Sequence, residues 1–374
     1  MKKTSVSICV YLWLIFFCFS ISAQDFKTIH DGIEYAEIKR GTETEPIKIN
    51  VLRLDLTKVR LDVVHALDAA IGLETTSSMA TRHGAFAAIN AGFFRLDKSI
   101  FAGDAAGVLQ IDGKLLSESV NNRMALGVVN GKRKTEVLFS HLNSDNYFVR
   151  GTDETFTISG INRERKENEI VLFTPEFNRT TLTNNDGFEL VVKGRTVEEI
   201  NLNKGNSPIP PNGFVLSVSN NKFQKLSQKR IIIRLITKVV TTELNKQNFF
   251  AKTEDIIGGV PQLIKNGKIE ITWEQEKSSK SFVETRHPRT AVAKLKDGKF
   301  LMVTVDGRQK ESVGMNLNEL AALLLELGAV DAMNLDGGGS TTMFAGGKVV
   351  NKPSDKEGER KVSDAILVFP RKRN

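Results

Sequence analysis

Residues 316–342 read NLNELAALLLELGAVDAMNLDGGGSTT, and this stretch decides the fold class. Leu317, Leu320, Leu324 and Leu327 recur at helical spacing; Asn316 can cap the start with Glu319 three residues on, and Gly328 suits the stop. AVDAMNL then reads as a buried strand, so the order is helix, tight turn, strand, and Asp336 followed by three glycines. Outward from here hairpin punctuation dominates. Asp112-Gly113, Asn130-Gly131, Asn266-Gly267 and Asp297-Gly298 each separate two apolar runs, which predicts long antiparallel meanders. A shorter helix is expected from about Ser77 to His83, before Gly84, and residues 201–213, with three prolines, read as a loop. The expected architecture is α+β: strand-rich, with a large mixed, mainly antiparallel sheet and a few packed helices.

The chain has 374 residues, 40% hydrophobic and 26% charged, a balance that suits a globular protein and argues against wholesale disorder. Its formal net charge is +8, but Lys2 and Lys3 belong to a leader and Arg371, Lys372 and Arg373 crowd the C-terminus. The remaining basic residues are interspersed with acids, and no basic helix with interleaved aromatics supports nucleic-acid binding. The leader runs from Met1-Lys2-Lys3 through twelve apolar residues, 8–19, to Ser20, Ser22 and Ala23. That layout predicts a signal peptide over residues 1–23, an exported protein, periplasmic or secreted, and no membrane span after cleavage. Cys18 raises a lipid-anchored alternative, which Phe16 and Phe17 disfavour because small residues are expected there. Both cysteines, Cys9 and Cys18, fall in the leader, so the mature chain offers no thiolate nucleophile or metal ligand. None of the five histidines shows metal-ligand spacing; Ca2+ could be held by Asp and backbone oxygens, but no EF-hand-like run supports it.

Three segments carry candidate chemistry. Asp336 ends a buried strand, and Gly337, Gly338 and Gly339 then let the backbone approach a ligand, with Ser340 and Thr341 adding hydroxyls. No Gly-Lys-Ser/Thr follows, so this is not a P-loop. The bland alternative is a glycine-rich turn. Asn90-Ala91-Gly92-Phe93-Phe94 follows an apolar strand; the amide could meet sugar hydroxyls and an aromatic face could meet ring C–H groups, or both could simply be core. In a hairpin centred on Asp297-Gly298, Arg289 is expected opposite Asp306, either as a cross-strand salt bridge or as an anion clamp beside an acid.

In order along the chain, INAGFF, GGVPQLIKNG, HPRTAVA, VTVDGR, NLNELAALLLELGA, NLDGGGSTTMF and VVNKPSDKEGERKVSDAILV resemble the phosphodiester glycosidase family, over most of residues 90–368. The resemblance implies a hydrolase that cleaves the glycosidic bond of a sugar-1-phosphodiester, N-acetylglucosamine-like, to free sugar and phosphomonoester, with no required cofactor. It implies catalytic roles for Asp336, Asp306 and Arg289. It also implies substrate-binding roles for Asn90, Gly92, Phe93, Gly258, Gly259, Arg308, Gly337, Gly338, Gly339, Ser340 and Thr341. Residues 24–70 are then an N-terminal strand region and 71–374 the catalytic domain. Two other classes stay open: a glycan-processing hydrolase whose substrate lacks phosphate, and a non-catalytic carbohydrate-binding envelope protein.

Overall fold

A computed structural model describes residues 25–219, 226 and 231–371. The expected signal peptide and the Cys18 anchor lie outside the described residues, as do Lys372 and Arg373. Among the described residues no helix is long and apolar enough to cross a membrane.

The punctuated hairpins form: Ile111 pairs with Lys114, Asn130 with Thr135 and Lys265 with Lys268. The strands divide among several sheets. The largest has eight strands in the order Lys27–His30, Ile33–Gly41, Pro46–Leu54, Phe300–Val305, Arg289–Leu295, Ala329–Asn334, Gln262–Lys265 and Lys268–Ile269, with every pair antiparallel. A five-stranded antiparallel sheet packs on it, ordered Lys348–Val349, Met343–Ala345, Ala87–Asn90, Asp364–Pro370 and Val59–His65. Leu52, Val292, Met302 and Met333 of the first sheet share one core with Leu61, Ile89, Ile366 and Val368 of the second. Strands from residues 25–70 are therefore integral to both sheets. A separate five-stranded sheet from residues 160–218 contains the one parallel pairing among the described strands, Gly160–Ile161 with Ile170–Phe173, so the expected mixed character is confined to it.

Period-two alternation divides the faces of the large sheet. Ala291, Ala293, Leu301, Val303 and Val305 face the helix Leu317–Glu326, whose Leu317, Leu320, Leu323 and Leu324 are buried on them. Each such leucine contributes about 1.5–3 kcal/mol by leaving water. The helix begins as its sequence requires: Asn316 Oδ1 accepts from the Glu319 amide at 2.9 Å, and the Glu319 carboxylate accepts from the Asn316 amide at 2.9 Å.

One expected register is corrected. Arg289 pairs with Val305, not Asp306. The Leu295 amide bonds the Lys299 carbonyl and Gly298 takes φ +85°, so the turn holds three residues and moves the pairing by one. A one-residue slip exchanges sheet faces. Arg289 accordingly lies on the helix side and Asp306 on the other.

Candidate functional site

The glycine-rich segment passes from the large sheet into the five-stranded sheet, and its backbone is bonded to both. The Leu335 amide donates to the Thr290 carbonyl at 2.8 Å, Asp336 to Ala91 at 2.9 Å and Gly338 to Pro288 at 2.9 Å. Each glycine admits a close neighbour. A Cβ on Gly337 would come within 2.7 Å of the Pro288 carbonyl oxygen, and one on Gly338 within 3.1 Å of the Arg308 guanidinium. A Cβ on Gly339 would collide with Arg360 and Asp355. Asp336 therefore projects from a fixed backbone and remains half-buried rather than sealed. Burial pushes its carboxyl up to about 6, against the opposing pull of the Ser340 hydroxyl and Arg360; the nearby Asp364 carboxylate pushes in the same direction as burial. The buried Ser340 Oγ makes no well-formed bond within the protein.

Two guanidiniums flank this loop. Arg360 forms a fork with Asp355, at 2.7 and 3.0 Å. Arg308 is exposed; its Nη2 lies 3.2 Å from His287 Nδ1, and among the described residues no carboxylate lies within ion-pair distance of it. Its backbone takes φ +59°, a left-handed conformation that costs a non-glycine residue about 1–2 kcal/mol.

A narrow crevice joins Gly92, Phe93, Gly258 and Gly259, four expected binding residues from distant parts of the chain, with Val108, Arg123 and Asp364. Asp364 is buried, accepts from the Gly92 amide at 2.5 Å and the Ser363 hydroxyl at 2.7 Å, and is raised above the ordinary carboxylate range chiefly by burial. Phe93 meets Phe282 edge-on, with ring centroids 6.1 Å apart.

Other expected site residues are committed inside the protein. Arg289 is 1% exposed, and its guanidinium donates to the carbonyls of Met315 (2.9 Å), Phe282 (2.8 Å) and Thr285 (2.7 Å). Burial, then the nearby Arg308, pulls its pKa down to about 10. It fastens the 282–315 region to the sheet instead of forming a clamp with Asp306. Asp306 is also buried; it accepts from Asn351 Nδ2 at 3.2 Å and from the Lys352 amide at 3.1 Å, and burial raises its carboxyl. It anchors the start of the segment carrying Asp355 and Arg360. Asn90 is fully buried: Nδ2 donates to the Asp336 carbonyl at 2.7 Å, and Oδ1 accepts from Thr290 Oγ1 at 2.9 Å and the Thr342 amide at 3.0 Å. It holds the loop rather than meeting sugar hydroxyls. Thr341 is buried beside Thr290, 3.3 Å away, and the Gly338 amide is taken by Pro288.

Arg123, His287, Asp355, Arg360 and Asp364 were not identified from sequence as site residues. Asp355, Arg360 and Asp364 lie in the closing segment VVNKPSDKEGERKVSDAILV, whose charges follow no period that separates these three from their solvated neighbours. Among the described residues no group of three or more His, Asp or Glu side chains is placed to hold a metal ion.

Fold and site together define a strand-rich α+β protein in which a glycine-rich loop, carrying Asp336 and flanked by Arg308 and Arg360, joins two antiparallel sheets. The phosphodiester glycosidase model matches residues 186–369, and the chain belongs to that family. Bovine N-acetylglucosamine-1-phosphodiester alpha-N-acetylglucosaminidase is 37% identical over 132 residues, 32% of this chain and 24% of that protein. The match thus spans about a quarter of that relative's length. A crystal structure of a Synechocystis protein superposes with a TM-score of 0.79 at 23% identity, covering 94% of this chain and 64% of that one. A Burkholderia pseudomallei structure does so with 0.76 at 24% identity, covering 87% and 74%. These two likenesses establish the fold.

Proposed function

We propose that the protein is an exported hydrolase that cleaves the glycosidic bond of an N-acetylglucosamine-like sugar-1-phosphodiester. The observation that carries this reading is that the half-buried Asp336 carboxyl opens the glycine loop against which Arg308, a cation with no acid partner among the described residues, lies. An anomeric carbon losing a phosphate becomes cation-like, and a fixed carboxylate next to it stabilises that charge. The leaving phosphate is weakly basic, so it needs little protonation. Arg308 presents a planar donor fork to its oxygens. In the overall reaction a water oxygen bonds to the anomeric carbon and the bond from that carbon to the bridging oxygen breaks. The phosphomonoester departs with the bridging oxygen, and the proton from water passes to Asp336 or solvent.

Arg360, held by Asp355, keeps a positive field on Asp336. The crevice at Gly92, Phe93, Gly258 and Gly259 takes a small substituent such as an acetamido group, with glycine backbone and Val108 as its apolar wall and Arg123 and Asp364 as its polar one. Asn90, Arg289 and Asp306 act as positioning residues. Export rests on the leader in the sequence.

The test is incubation of the purified protein with a panel of sugar-1-phosphodiesters, following reducing sugar and phosphomonoester together. Equal release of both is expected. Comparable cleavage of glycosides lacking phosphate would instead indicate a glycan hydrolase, and glycan binding with no release would indicate a carbohydrate-binding protein.

A further inference from the structure

We infer that His287 is a positioning residue for Arg308, setting the orientation in which its guanidinium receives an anionic phosphodiester; this rests on the phosphate-binding role proposed for Arg308. Arg308 follows the Phe300–Val305 strand in a strained left-handed conformation, is exposed, and has no acid partner among the described residues. A long, exposed side chain without a partner ordinarily samples many rotamers, and ordering it on binding weakens affinity. Two contacts remove that freedom here. The guanidinium lies against Gly338, where a Cβ would come within 3.1 Å of Nη2, and Nη2 donates to His287 Nδ1 at 3.2 Å.

The second contact dictates the chemistry of the ring. Only a neutral imidazole with its proton on Nε2 has an acceptor at Nδ1. Burial, then Arg289 and Arg308, holds His287 below its ordinary range, which favours that neutral form. The first-turn carboxylate of the packed helix, Glu319, is engaged by Arg286, as is Glu45, and neither is hydrogen-bonded to the ring. His287 itself is fixed by backbone bonds in both directions with Met315, each 3.1 Å. The imidazole is thus a neutral bracket that leaves the other guanidinium edge free for an oxyanion.

The experiment uses the full mature chain and dimethyl phosphate, which stays a monoanion and is not hydrolysed by a glycosidase. Binding at pH 7.5 is followed by NMR titration for wild type, Arg308→Ala, His287→Ala and His287→Asn, with Tm measured on each. Asn places an amide oxygen near the position of Nδ1. About tenfold weaker binding is expected for both alanine variants, and binding within about threefold of wild type for His287→Asn. Ring 15N shifts should show the Nε2–H tautomer in wild type and a tautomer mixture in Arg308→Ala. The inference is overturned if wild type does not bind the probe, if His287→Ala binds as wild type does, if Asn and Ala are equally weak, or if the ring carries its proton on Nδ1. Failure to cleave any sugar phosphodiester while these binding results hold would remove the hydrolase reading alone.

Discussion

Replacing Asp336 by Asn separates a catalytic carboxylate from a structural cap, because the two readings predict opposite signs for stability. The carboxyl titrates near 6 rather than at the ordinary 3.8. A raised folded-state value means that this group's stabilising contribution is fully present below the unfolded value and is lost as pH rises through about 6. At pH 7.5 the ionised carboxylate therefore penalises the fold, by up to about 3 kcal/mol at 1.36 kcal/mol per pH unit. Asn keeps the shape, can still accept from the Gly337 amide, and carries no charge. The variant should melt about 2–5 °C higher at pH 7.5, with the gain disappearing near pH 4. Its kcat on a sugar-1-phosphodiester should fall about 100-fold or more, with KM little changed, since positive charge at the anomeric carbon exists chiefly in the transition state. Melting curves and initial rates on one preparation decide it. A variant that melts lower yet turns over near the wild-type rate would refute the reasoning and leave Asp336 as a turn cap.

Arg289→Ala should cost about 3–5 kcal/mol, seen as a lower Tm, because three carbonyls lose a donor that is itself buried; an unchanged Tm with a raised KM would restore Arg289 as a direct phosphate ligand. Gly339→Ala should lower kcat/KM at least about tenfold and cost about 1–3 kcal/mol, since the new Cβ displaces the Arg360–Asp355 pair; wild-type kinetics would show that this pair does not tune Asp336. Mass measurement on exported material should find a chain starting at Gln24; one starting at Met1 and pelleting with membranes would refute cleavage.

What was legible in the sequence is what depends on neighbours along the chain. The Asn316–Glu319 cap, the Gly84 and Gly328 stops and the four hairpin turns are local chemistry, and the structure carries all of them. The first failure lies one step beyond local. Asp297-Gly298 marks a turn whether the loop holds two residues or three, but that single residue decides which face of the sheet Arg289 occupies. Paired opposite charges thus became a buried fastening on one face and a loop anchor on the other. The second failure is wholly non-local. Arg360 reaches the glycine loop because the closing segment folds back over it, and His287 meets Arg308 because the ends of two adjacent strands lie side by side. No periodicity marks such residues; their side chains acquire a role only through which strands neighbour one another. Gly92, Phe93, Gly258 and Gly259 show the converse. Residue order alone gave them no common site, the family resemblance supplied one, and the crevice joins them because the turns carrying them pack together beside Asp364. Resemblance therefore supplied candidate positions, while topology decides what each can touch: Asp336 and Arg308 lie at the glycine loop, and Asn90, Arg289 and Asp306 are bonded into the frame around it.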